Sequence, residues 1–331
     1  MAKPINLGFV GCGKHALMSH AEVVVDMPEM FNIKVAYDKD TAAPEKILTI
    51  DPNCRIARSS SELFADSRVD AVIIATPPDS HVGFCEDALM AKKHIFCEKP
   101  LWTNSNNSVD GVAVIAEALE SGLIFTSCHP RRFDPLYSYA KDSLGELTSV
   151  YGDLEEFNFR FFYHKPTVIK SKSLLLDHMN HEIDLLNFIL GRAPIHLRLV
   201  NDGFDHYKVT GQRNNQLSIS FSGYRKLNKS LYWNELELVF SRGRAIFKSV
   251  LDSGFLIPIL KVEDFDFSNL KKRKPHDFSS DAKEYVKSFY AIMENFGKAI
   301  LGQQENYLSM QDLITNTLAC TTLLEYGKCT I

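Results

Sequence analysis

The residues best equipped for chemistry lie at the start of the chain. Gly11-Cys12-Gly13-Lys14-His15-Ala16 follows a short apolar strand, Ile5 to Val10, and leads into a run from His15 to Val25 that reads as a helix. Glycines at 11 and 13 permit a tight turn and leave a bare backbone, so a pyrophosphate can approach the amides of a helix N-terminus. Ala16 stands at the third small position of such a turn, which serves only strand–helix packing. The next strand, Asn32 to Asp38, ends on a carboxylate about 20 positions further on, the spacing at which an acidic side chain accepts from ribose hydroxyls. A carboxylate at Asp38 repels a 2′-phosphate and favours NAD. Lys39 beside it could neutralise that phosphate, which keeps NADP open. Gly11, Cys12, Gly13, Lys14, His15, Asp38 and Lys39 are therefore the candidate cofactor contacts. The plainer readings are a tight turn with no ligand, a strand-end Asp38, and a Cys12 that is a small filler rather than a thiol whose modification blocks binding.

The elements around this turn alternate strand and helix. Val69 to Thr76 is a nearly continuous apolar strand of the kind covered on both faces, ended by Pro77-Pro78. A helix from His81 to Ala91, a strand His94–Cys97, a helix Ser108–Ser121 ended by Gly122, and a strand Leu123–Ser127 follow. Such units predict a parallel, doubly wound sheet. Thr76 and Pro77, at the carboxyl end of their strand, are expected to line a cofactor crevice.

Beyond about residue 145 the texture changes to longer strands joined without helices: Leu147–Tyr163, Ile195–Asn201, Gln216–Gly223, Tyr232–Ser241, Ala245–Val250 and Phe255–Val262. Asn214-Asn215 and Arg242-Gly243-Arg244 read as turns between antiparallel neighbours. Helices Ser280–Leu301 and Ser309–Tyr326 close the chain. The expected fold is α/β: a Rossmann domain over residues 1–127 and an α+β domain over 128–331. That second domain is built on a large, open, mostly antiparallel sheet, with a C-terminal helix able to pack back toward the first. An open sheet of this size needs cover, which predicts a homodimer or homotetramer through it.

Composition excludes several classes. With 331 residues the chain exceeds one ordinary core, and 45% hydrophobic with 24% charged residues is globular. A net charge of −4 carries no electrostatic footprint for nucleic acid or an anionic membrane. No apolar run is long enough to span a bilayer. A core strand directly after Met-Ala-Lys-Pro leaves no room for a signal peptide. Cys12, Cys54, Cys85, Cys97, Cys128, Cys320 and Cys329 are scattered, odd in number and free of CxxC pairs. Reduced thiols in a cytoplasmic protein, with no metal site, are expected. Lys271-Lys272-Arg273-Lys274 reads as a solvated loop.

Four ordered features resemble the Gfo/Idh/MocA oxidoreductases: Gly11-Cys12-Gly13 with Asp38, Ala75-Thr76-Pro77 with His81, Glu98-Lys99-Pro100, and Asp177 with His181 and Asp184. Cys128 to Pro135 looks like the family's link between domains, and Leu144-Gly145-Glu146-Leu147 like the entry to its second sheet. The resemblance implies hydride transfer between a nicotinamide cofactor and a secondary alcohol or ketone of a sugar, cyclitol or nucleotide-sugar-like substrate. Lys99 matches the lysine that touches the reacting hydroxyl, and Asp177 and His181 match the acid–histidine pair. Histidine titrates nearest neutrality, so His181 suits a general base, while Lys99 suits stabilisation of a developing alkoxide. Glu98, and Lys99 again, are carried over as cofactor contacts and His81 as a neighbour of the cofactor. A substrate set of Lys99, Arg131, Lys165, Asp177, His181 and Asp184 follows.

The helix carrying the pair reads from about Asp177, within Leu174 to Leu190. The four-residue spacing puts both side chains on one face. Asp177 also reads as a plain N-cap, Asp184 as a salt-bridge partner, and one of Arg131 and Arg132 as an ion-paired residue. Met179 replaces the family's glycine, and Lys165, Lys170 and Lys172 precede the aspartate where glycines are usual. The lysines suit an anionic substrate; the alternative is that they point to solvent. Three other functions stay open: a dinucleotide-binding sensor or co-repressor that does not turn over, a sugar–sugar oxidoreductase that keeps its cofactor, and a reductase of a non-sugar such as a dihydrodiol or an imine.

Overall fold

The computed structural model describes residues 3–164, 173–203, 205–214, 216–226, 232–252, 255–264 and 284–331. The chain divides into two compact units, Met1–Pro130 with Ser288–Thr317 and Arg131–Lys287 with Leu318–Ile331.

The first unit carries a six-stranded parallel sheet. Its strands are β1 (Ile5–Val10), β2 (Phe31–Tyr37), β3 (Arg55–Ile56), β4 (Ala71–Ile74), β5 (His94–Cys97) and β6 (Phe125–Ser127), in the order β3-β2-β1-β4-β5-β6. This is the doubly wound Rossmann order, with a topological switch between β1 and β4. Every residue of β1 and of β4 is buried, as expected for strands covered on both faces, Asn6 being the polar exception in composition. The helix after β1 runs from Lys14 to Val25, but its middle turn, Leu17–Ala21, is π-helical.

The second unit carries an eight-stranded sheet. It contains β7 (Leu154–His164), β8 (Ile195–Asp202), β9 (His206–Arg213), β10 (Leu217–Lys226), β11 (Trp233–Phe240), β12 (Gly243–Asp252), β13 (Phe255–Asp264) and β14 (Lys328–Thr330). The order is β13-β12-β11-β7-β10-β9-β8-β14, antiparallel throughout except for the central parallel pair of β7 and β10. Phe157, Phe159 and Phe161 on one face of β7 pack into a core with Phe221, Leu236, Leu238 and, from the helix Leu174–Leu190, Leu175, Met179 and Leu186. The opposite face of β7, β11, β12 and β13 is charged. Arg160 reaches Glu235 at 2.5 Å and Glu237 at 3.4 Å, Arg244 bridges Glu237 and Glu263, and Lys248 lies 3.2 Å from Glu235. That face combines cross-strand ion pairs with an apolar part, the stacked Phe162 and Trp233 rings and the exposed Ile259.

Three expectations need correction. Leu147 to Tyr151 is helical, not strand: one helix spans Pro135–Tyr151 and β7 begins only at Leu154. Its buried positions Leu136, Tyr137, Ala140, Leu147 and Tyr151 recur at helical spacing. Asp134 accepts the Leu136 N–H at 2.9 Å as N-cap, Pro135 opens the first turn, and Gly152 at φ +85° ends it. Leu144 to Leu147 therefore lies inside a helix and not at a sheet entry. Strand β9 was not anticipated, because only Tyr207, Val209 and Arg213 of its eight residues are buried. The chain also ends on a strand, β14, which pairs with β8 after the helix Met310–Tyr326.

Candidate active site

Each unit presents one cluster of candidate residues. In the first, Gly11 adopts φ +92°, and a Cβ there would sit 2.7 Å from the backbone carbon and oxygen of Ala75. Only glycine serves at that position. The turn is pinned to the end of β2: Gly11 N–H donates to Tyr37 O at 2.8 Å and Cys12 N–H to Asp38 Oδ2 at 2.8 Å. Asp38 Oδ1 accepts the Asp40 N–H at 3.0 Å. Each carboxylate oxygen keeps a further lone pair. Gly13, Lys14 and His15 are exposed, nothing lies within 4 Å of a Cβ built on Gly13, and no side chain caps the helix that starts at Lys14. An exposed, uncapped helix start beside an anchored carboxylate fits the pyrophosphate and ribose of a dinucleotide. Lys39 is exposed next to Asp38. The Cys12 thiol is buried, and burial together with the Asp38 charge pushes it up to about 12.

Thr76 is half-buried and Pro77 exposed at the end of β4. His81 is fully buried, with Nδ1 2.9 Å from Pro100 O and Nε2 2.9 Å from Thr76 O. Its ring ties the loop after β4 to the Glu98-Lys99-Pro100 turn after β5. Lys99 is half-buried, and the Lys99–Pro100 peptide is cis. Glu98 is buried, and its Oε1 meets His15 Nε2 at 2.9 Å and His20 Nε2 at 2.6 Å. Burial would raise its carboxyl, but the two histidines hold it well below the usual carboxylate range. Sequence reading passed over His20, because an ordinary helix would turn it away from His15. The π turn brings both to one carboxylate.

In the second unit the helix Leu174–Leu190 starts three residues before Asp177. Ser173, not Asp177, is its N-cap, with Oγ accepting the Leu176 N–H at 3.4 Å. Asp177 and His181 are half-buried and four apart, and so share a face. The neighbouring His178 and Glu182 form a buried network that sequence reading missed. His178 Nδ1 lies 2.7 Å from Glu182 Oε1, Tyr207 OH donates to Glu182 Oε2 at 2.6 Å, and Arg131 Nη2 is 3.2 Å from His178 Nε2. Guanidinium only donates, so Nε2 accepts and Nδ1–H points to Glu182, an assignment made from the partners. Burial, then the Glu182 charge, pushes the Tyr207 hydroxyl well above its usual range. His178 also stacks on Phe161 and meets His181 edge-to-face, centroids 5.7 Å apart.

Arg131, a candidate substrate anchor, is 9% exposed, lies over the Phe159 ring and is held in this network. Asp184 is forked by Arg132, Nε at 2.9 Å and Nη2 at 2.6 Å. Met179 faces the core. Lys165, Lys170 and Lys172 fall outside the described residues.

Residues 5–128 match the Gfo/Idh/MocA oxidoreductase family, NAD-binding Rossmann fold. The match covers the dinucleotide-binding part of the chain, so residues 5–128 are a domain of this NAD-binding type. The chain is 28% identical over 188 residues to an uncharacterised oxidoreductase of Schizosaccharomyces pombe, covering 55% of this chain and 50% of that protein. It is 29% identical over 177 residues to an inositol 2-dehydrogenase of Mycolicibacterium smegmatis, covering 50% and 48%. The chain spans about half the length of the curated relatives it matches. A scyllo-inositol dehydrogenase from Lactobacillus casei, solved with NAD(H) and scyllo-inositol, superposes with a TM-score of 0.76 over 99% of both chains at 19% identity. That likeness concerns the fold alone and covers both units of the chain. Among its described residues no helix is long and apolar enough to cross a membrane.

Proposed function

We propose that this chain transfers a hydride between a nicotinamide cofactor, NAD in preference to NADP, and a secondary alcohol or ketone of a sugar, cyclitol or nucleotide-sugar-like molecule. The observation that carries the reading is the glycine turn, pinned by Asp38 and followed by an exposed, uncapped helix start inside an NAD-binding Rossmann domain. The inositol dehydrogenase relatives support the alcohol class.

When bound, the dinucleotide supplies the hydride acceptor or donor. The chain supplies the proton chemistry and the charge. His181 takes the hydroxyl proton during oxidation and returns it during reduction, since imidazole titrates near neutrality. Asp177, on the same helix face, is the acid partner of that imidazole. The Lys99 ammonium stabilises the developing alkoxide. His81 supports the turn that carries Lys99 by holding Pro100 O. Homo-oligomerisation through the C-terminal sheet belongs to the same proposal, with the charged ladder of β7, β11, β12 and β13 as the face that a second copy would meet.

The test is fluorescence titration of cofactor-stripped protein with NADH and NADPH, followed by initial rates on inositols, sugars and nucleotide sugars. Micromolar NADH binding and turnover on one of these classes support the reading. Failure to bind either dinucleotide overturns it.

A further inference from the structure

We infer that His15, His20 and Glu98 form a binding site for a zinc-class divalent cation. Among the described residues, these three bring one donor atom each to within 4.8 Å of one another. The convergence is built into the backbone. In a regular helix, residues five apart point about 140° away from each other. The π turn Leu17–Ala21 removes that divergence and aims both Nε2 atoms at the same Glu98 oxygen, 2.9 and 2.6 Å away.

The surroundings are those of a metal site and not of a surface hydrogen bond. His20 is fully buried, with its ring edge-on to Phe96 and Phe289. Ser19 Oγ lies 3.1 Å from His15 Nδ1, the outer hydrogen bond that fixes which nitrogen of a ligating histidine faces inward. Glu98 is anchored at the end of β5, its Oε2 accepting the Lys99 N–H at 3.2 Å. His15 is exposed and provides the entry path.

Two imidazoles and a carboxylate suit zinc, with a fourth position for water. The present spacing is that of hydrogen bonds. A tetrahedral ion would spread the donors to roughly 3.3 Å apart, so both the exposed His15 ring and the buried His20 ring must draw back from Glu98. To bind the cation, each neutral imidazole offers the Nε2 lone pair and carries its single N–H on Nδ1, which on His15 faces Ser19 Oγ. The Cys128 thiol also bonds to Glu98 and is the neighbour that could compete as a ligand.

His15 and Glu98 are also candidate cofactor contacts, so the test uses protein free of dinucleotide and reads metal binding alone. Metal-stripped protein is titrated with zinc chloride by calorimetry, and with cobalt(II) chloride by absorption spectroscopy. The expected result is one equivalent bound at micromolar affinity or tighter, with cobalt bands of nitrogen–oxygen ligation and none of thiolate charge transfer. His20→Ala and Glu98→Gln are expected to weaken zinc at least tenfold. His15→Ala, an exposed substitution that leaves the buried packing intact, is expected to do the same and keeps the test valid if His20→Ala does not fold. No stoichiometric binding, thiolate-type cobalt bands, or unchanged affinity in His15→Ala would each overturn the site.

Discussion

The Asp38 carboxylate accepts the Cys12 N–H at 2.8 Å, so one side chain locks the glycine turn from the strand beside it. In the proposed function the same carboxylate receives the ribose. Asp38→Ala is expected to weaken NADH at least tenfold and to abolish any preference over NADPH, read by fluorescence titration. Asp38→Asn keeps an acceptor for the turn and should retain the melting temperature while losing the preference. Unchanged discrimination in both variants would show that Asp38 holds the loop and nothing more.

Gly11 carries a different load. Its φ of +92° and the 2.7 Å approach of Ala75 leave no room for a methyl group. Gly11→Ala should cost about 1–3 kcal/mol of stability from backbone strain alone, measured by urea unfolding, and should lose dinucleotide binding. Gly13→Ala has open space and is expected to fold normally. Equal stability of both variants would contradict the geometry.

Lys99→Ala is expected to abolish turnover while leaving NADH affinity within a few-fold of the parent. His181→Ala should lower kcat and remove the neutral-range limb of its pH profile. A Lys99→Ala protein with normal turnover would refute the assigned chemistry.

Asp184 and Arg132 form a buried pair, 1% and 10% exposed at their side chains. Removing one partner of such a pair leaves the other charge buried and costs about 3–5 kcal/mol. Asp184→Ala should therefore appear mainly as lost stability in urea unfolding. If stability held and only KM rose, Asp184 would be a substrate contact.

The Cys12 thiol is pushed up to about 12 by burial and by Asp38. Iodoacetamide at pH 8 should leave it unmodified in the native protein and alkylate it in urea, followed by mass spectrometry. Rapid native labelling would show the turn to be open.

The glycine turn, Asp38 and the Rossmann strands were legible because their signals are local: apolar runs, small residues and a carboxylate at set spacing. The helix Pro135–Tyr151 has an Asp-Pro start and helical periodicity, but Leu144-Gly145-Glu146-Leu147 within it reads by resemblance as a sheet entry. Strand β9 escaped because its stability comes from pairing with β8 and β10, not from an apolar pattern of its own. His20, His178 and Glu182 escaped for a related reason. A π turn, a stacked ring and a tyrosine from another strand are relations in space that no spacing along the chain encodes.

His81 stands between two carbonyls of different strand ends, its ring nitrogens 2.9 Å from Thr76 O and from Pro100 O. A ring cannot stretch, so it acts as a strut: any displacement of the loop after β4 is passed to the peptide that follows Lys99. The two segments can then drift in sequence only together. A substitution that shortens or lengthens either one would have to be matched across the imidazole, which makes this small bridge the point at which the two loops constrain each other's evolution.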